Sequence, residues 1–223
     1  METGGGGAMS AVAHAIWDGL AGASLLDRAN LALGIAGVVL MVRRSRWAFP
    51  VGLVAVTVQG VLFFGAKFYA DAALQIFFFG ALGWGWWNWT RAHDRGDGGR
   101  VQELPVTRLA WSGRVWVGIL VVMATVIWAL AARRWTDAVM PWRDAFIAMA
   151  QVAGQVLQAR KQIENWAFFT AANVVAIPAY FSAELAFTAL LFGVYLVLGL
   201  LGWRAWWLAE KRPTDAPTTE ERT

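Results

Sequence analysis

GRVWVGILVVMATVIWALAA, residues 113–132, carries no charge after Arg114. Built as an α-helix at 1.5 Å per residue it is about 30 Å long, the thickness of a bilayer's hydrocarbon core. It therefore reads as a transmembrane helix, and the chain as an integral membrane protein. The composition agrees. Of 223 residues, 58% are hydrophobic and 15% charged, and mean hydropathy is +0.49. A soluble domain carries roughly a quarter charged residues.

The segments on either side of this helix are copies of one another. At an offset of 119 residues, WAF (47–49) falls on WAF (166–168), Phe68 and Ala70 on Phe187 and Ala189, and GALGWGWW (80–87) on GLLGWRAW (199–206). Over residues 47–89 the match has no gap and 11 identities in 43 positions. Charges and turn residues divide the chain into seven apolar segments, near 29–42, 47–65, 68–90, 114–132, 139–160, 163–182 and 185–208. The expected architecture is all-α with seven transmembrane helices: three (29–90), a connecting helix (114–132) and three (139–208). Two three-span units joined directly would be inverted, and the single helix between them restores a common orientation. Such parallel repeats are a frequent plan for transporters, with the substrate at their interface.

The remaining segments are expected to lie outside the membrane. Residues 1–28 read as a tail with an interfacial amphipathic helix, 91–113 as a cytoplasmic loop, and 209–223 as a disordered tail. Alternating the connections puts five of the 19 Lys and Arg residues on one side and fourteen on the other. The richer side is cytoplasmic, which places the N-terminus outside and the C-terminus inside.

Absences narrow the function. There are no cysteines, so disulfides, thiolate metal sites and cysteine nucleophiles are excluded. No metal is expected. The two histidines, His14 and His93, fall outside the seven segments, and no hydrolase or metal-ligand motif is visible, so an enzyme is disfavoured and no cofactor is implied. The basic excess is orientational, and no nucleic-acid partner is expected. A retinal-type receptor would need a lysine in the seventh span, which has none. No acid or histidine sits near the middle of a span, which favours facilitated diffusion over proton coupling.

The sixth span holds the chemistry. Trp166, Phe169, Asn173 and Tyr180 share one helical face, and Asn173 lies ten residues, roughly 15 Å, from the cytoplasmic end. Pro178 cannot donate to the Val174 carbonyl. In the fifth span Gln151, Gln155 and Gln158 share a face. Counted from the turn near Lys161, Gln151 reaches the depth of Asn173, and Gln155 that of Phe169. Amides at this depth either glue helices together or hold a ligand. Four of them beside an aromatic stripe favour a ligand, and Trp166 with Phe169 suits a flat ring, above all a cationic one. Gln75 and Tyr195 are further candidates for the lining. The remaining alternative is a structural membrane scaffold. Trp84, Trp86, Trp87, Trp89, Trp203, Trp206 and Trp207 are expected to form an interfacial belt.

Four runs, QVLQARKQIENWAFFTAANVVAIPAY (155–180), WAFPVGL (47–53), FYADAALQIFFFGALGWGWWNW (68–89) and YLVLGLLGWRAW (195–206), together resemble the PnuC family of vitamin transporters over about residues 30–208. The resemblance implies a fold similar to SWEET sugar transporters, a homotrimer in the bacterial inner membrane, and facilitated uptake of nicotinamide riboside, an NAD precursor trapped by cytoplasmic phosphorylation. It also implies that Trp166, Asn173 and Gln155 contact substrate. Phe169 stands where the family has a second Trp. Sister branches carry thiamine, riboflavin or nucleosides.

Overall fold

The computed structural model describes residues 10, 14, 17–19, 21–65, 69–94, 104–182 and 186–211. Of the tail expected at 209–223, residues 209–210 are helical and 212–223 lie outside these, as do part of the loop at 95–103 and most of the first twenty residues. The described residues form seven helices of 18 or more residues: α1 Leu25–Val42, α2 Ala48–Gly65, α3 Tyr69–Asp94, α4 Trp111–Trp135, α5 Pro141–Ala159, α6 Asn165–Ser182 and α7 Ala186–Glu210.

Local chemistry sets the boundaries. α1 begins four residues before the apolar segment suggests, because Ser24 caps it: the Ser24 hydroxyl accepts from the Asp27 amide (3.1 Å), and the Asp27 carboxylate accepts from the Ser24 amide (3.0 Å). α1 and α5 end alike. Arg44 (φ 58°) and Lys161 (φ 56°) take the left-handed conformation, and the following amides, Ser45 and Gln162, each donate back to Leu40 and Leu157 at 2.9 Å. This six-to-one bond terminates a helix sharply and satisfies a late carbonyl. Arg133 and Arg134 lie in the last turn of α4, where cations complement the helix dipole. Pro141 opens α5, at a position where its missing N–H costs nothing.

Four helices, α1, α2, α4 and α7, are long and apolar enough to cross a membrane. α3, α5 and α6 are also 18 residues or longer but more polar, and α5 and α6 bury the most residues. Of the three helices that look least like membrane spans, α5 and α6 are thus turned into the protein, while α3 buries few of its described residues.

Packing runs in a closed order: α1 on α2, α2 on α3, α3 on α5, α5 on α6, α6 on α7, and α7 back on α1. α4 rests on α5, outside this ring. The 119-residue offset maps α1, α2 and α3 onto α5, α6 and α7. The two joints between the halves, α3 with α5 and α7 with α1, are therefore equivalent.

At the end of the ring where α3 and α7 finish, Met41, Phe49, Leu82, Trp89, Ile163, Trp166 and Trp206 form one buried cluster. The rings meet edge to face: Phe49 with Trp89 at 5.0 Å and Trp166 with Trp206 at 5.5 Å. The Trp206 Nε1 donates to the Met41 carbonyl (3.1 Å), tying the two halves together. Trp89 and Trp206, 4% and 0% exposed, are core residues rather than members of the expected belt; Trp84, Trp86, Trp87, Trp203 and Trp207 are exposed as expected. Residues 104–109 cross this end as a strap. Thr107 bridges Gln162 in parallel, its amide donating to the Lys161 carbonyl (3.1 Å) and its carbonyl accepting from Ile163 (3.0 Å).

Candidate functional site

The candidate site is built on α6, which presents Trp166, Phe169, Thr170 and Asn173 within two turns. Trp166 is 2% exposed, and its indole fills the space left by Gly202 of α7, where any Cβ would overlap the ring. Phe169 uses Gly154 of α5 in the same way; a Cβ there would stand 2.9 Å from the phenyl edge. The two rings, 6.5 Å apart and inclined at 65°, form an aromatic corner between α5, α6 and α7.

The predicted amides lie on the two helices that carry Phe169 and its Gly154 seat, Asn173 on α6 and Gln151 and Gln155 on α5. Gln155 and Asn173 are buried, and Gln151 is half-buried. No side-chain hydrogen bond joins any of the three to another described residue, and the Gln155 Nε2 is buried without a partner. Three more orphaned polar atoms sit on α6, the Asn165 Oδ1 at its first residue, the Trp166 Nε1 and the Thr170 Oγ1. A buried donor left unpaired is costly, so the Gln155 and Trp166 donors call for a partner. Thr170 is a residue that the sequence reading missed. Its signal was available, since it lies four residues after Trp166 and three before Asn173.

The other predicted residues lie elsewhere in the ring. Tyr180 stacks on Phe192 at 5.0 Å, and Phe192 meets Tyr195 at 6.2 Å, so both tyrosines join an α6–α7 aromatic chain. The Tyr195 hydroxyl abuts Gly34 of α1. Gln75 packs against Gly60 of α2, and its amide makes a long contact to the Asp71 carbonyl (3.5 Å). Near these, Asn30 of α1 donates to Gln59 of α2, an amide pair that sequence reasoning did not find. Gln158 is buried beside the turn. At the start of α5, Arg143 pairs with Asp144 (2.9 Å).

The two halves are unlike where it matters. Trp47, the repeat counterpart of Trp166, is 64% exposed. Gly83, the counterpart of Gly202, has nothing near it. Asn173 and Thr170 correspond to Val54 and Val51. The polar aromatic corner belongs to the second repeat. Its groups are neutral hydrogen-bonding amides, one hydroxyl and two rings, a set that binds rather than reacts. Among the described residues no group of His, Cys, Asp or Glu is placed to hold a metal ion.

Comparison with known proteins agrees with this character. A family model described as nicotinamide mononucleotide transporter matches residues 24–208. The riboflavin/roseoflavin transporter RibM of Streptomyces davaonensis is 30% identical over 204 residues, covering 89% of this chain and 88% of that one. The nicotinamide riboside transporter PnuC of Escherichia coli is 26% identical over 178 residues, 70% of this chain and 73% of the other. The crystal structure of the vitamin B3 transporter PnuC superposes with a TM-score of 0.70 at 19% identity, covering 90% of this chain and 88% of that chain.

Proposed function

Since this chain belongs to the nicotinamide mononucleotide transporter family, which includes PnuC, we propose that it carries nicotinamide riboside across the bacterial inner membrane by facilitated diffusion. The family is one of transporters, and its members take vitamins rather than transform them. The observation that carries the reading is the orphaned Gln155 Nε2, one residue after the Gly154 that seats Phe169. A pyridinium ring lies against the ring faces, and ribose hydroxyls or the carboxamide satisfy Gln155, Gln151 and Asn173. The corner is compact, because the spaces at Gly154 and Gly202 are already filled by the protein's own rings. Such a corner suits a single ring.

A second reading, riboflavin, has its own support. The riboflavin carrier shares more identity over more of the chain, and Phe169 is a weaker seat for a cation than Trp.

The closed helix order supports a 3+1+3, SWEET-like plan, with α4 as the connecting helix and two equivalent joints flanking the path. The N-terminus lies outside and the C-terminus in the cytoplasm, which puts the Trp cluster and its strap at the cytoplasmic end. The resemblance supports a homotrimer, and phosphorylation in the cytoplasm keeps the substrate inside.

Liposomes containing the purified protein test this. Labelled nicotinamide riboside should equilibrate to equal concentrations without any imposed gradient. Strict dependence on a proton or sodium gradient contradicts uniport, and uptake of riboflavin alone makes the second reading the correct one.

A further inference from the structure

We propose that the Thr170 hydroxyl is a specificity-determining contact, which receives an oxygen-bearing group of the substrate on the α6–α7 face that the Trp166 indole also lines. This rests on the reading of α6 as a vitamin site.

Thr170 departs from what four other hydroxyls of the described helices and their ends do. Thr57, Thr90, Thr136 and Ser182 each donate their hydroxyl to the carbonyl four residues earlier, at 2.7–2.8 Å. A helical hydroxyl in an apolar setting ordinarily does this. The Thr170 Oγ1 is buried and makes no such bond. It stands over Gly199 of α7, where even an added Cβ would be 3.4 Å away, so small residues leave it room on that side. Thr125 shares the orphaned state, but on α4, outside the ring.

Position completes the argument. Thr170 is one turn beyond Trp166 and one turn before Asn173, so its hydroxyl follows the Trp166 Nε1 along one face. The orphaned Trp166 Nε1 and Gln155 Nε2 are both donors. They call for acceptors, and a hydroxyl that can also donate fits a ligand face that alternates between the two. Sugar or sugar-alcohol hydroxyls have that character, whereas a bare aromatic ring does not.

The test uses purified full-length protein in detergent and two variants, Thr170→Val and Thr170→Ser. Thermal unfolding is followed alone and with nicotinamide riboside or riboflavin. Valine matches threonine in shape and removes the orphaned oxygen, so without ligand T170V should melt at or above the wild type. Its apparent Kd should rise about tenfold, the weight of one good hydrogen bond to a ligand. T170S should bind as the wild type does. A T170V protein that melts several degrees lower without ligand shows a structural hydroxyl and overturns the proposal. Wild-type affinity in T170V overturns it too, and leaves the parent reading standing. A wild-type protein that binds neither vitamin overturns the parent reading and this one with it.

Discussion

At the scale of single residues, glycine decides which copy of the repeat becomes a site. GALGW and GLLGW are near twins in the sequence. In space Gly202 admits the Trp166 indole and Gly83 admits nothing. Gly202→Ala forces a methyl group into the ring and should destabilise the protein by about 1–3 kcal/mol. Gly83→Ala should be neutral or stabilising by up to about 1 kcal/mol, since alanine is the better helix former. Thermal unfolding of the two variants in one detergent checks the contrast. The sequence showed Trp166 and Asn173 on one face, because that follows from 3.6 residues per turn. It did not show that Trp166 would be buried in a Trp cluster, since the neighbours Trp89 and Trp206 come from helices distant in the chain.

At the scale of elements, the strap before α4 is the part least visible in sequence. Residues 91–113 have no apolar period and read as a plain loop. Yet Leu104 and Val106 pack on the Trp cluster, and Glu164 reaches across to hold the strap. One Glu164 oxygen accepts from the Leu109 amide (3.2 Å), and the other pairs with Arg114 (3.0 Å). Arg108 adds an ion pair with Glu210 at 2.5 Å, half-exposed and worth little by itself. Beneath the strap lies Lys161, 2% exposed, its ammonium 4.4 Å over the Trp89 ring. A single parallel bridge has no sequence signature, because any residue can supply a backbone amide. Glu164→Ala should cost about 1–2 kcal/mol, from one charged hydrogen bond and one partly buried ion pair. It should also speed hydrogen exchange at the Thr107 and Ile163 amides, and unchanged protection there would mean that the strap holds without Glu164. The helices themselves were legible to within a few residues. The Ser24 cap moves the start of α1 by four residues, while α3 runs four residues past its expected segment and α4 three at each end.

At the scale of the molecule, a symmetric ring carries an asymmetric lining. The repeat supplies two equivalent joints, and the substitutions Val51 to Thr170 and Val54 to Asn173 make the lining of the two halves unlike. An asymmetric lining suits a solute with a ring at one end and hydroxyls at the other. The absence of any acid near the middle of a span fits a carrier that follows its substrate's own gradient. The most direct test is calorimetric titration of nicotinamide riboside and riboflavin into the purified protein and its Asn173→Leu variant. Trp166→Ala is the poorer choice, because emptying the Trp cluster costs about 3–5 kcal/mol of stability whatever the ring binds. Asn173 makes no side-chain hydrogen bond to another described residue, so leucine should leave the fold intact. The account predicts binding of one of these vitamins by the wild type and at least about tenfold weaker binding by the variant. Equal affinity in both proteins would contradict it.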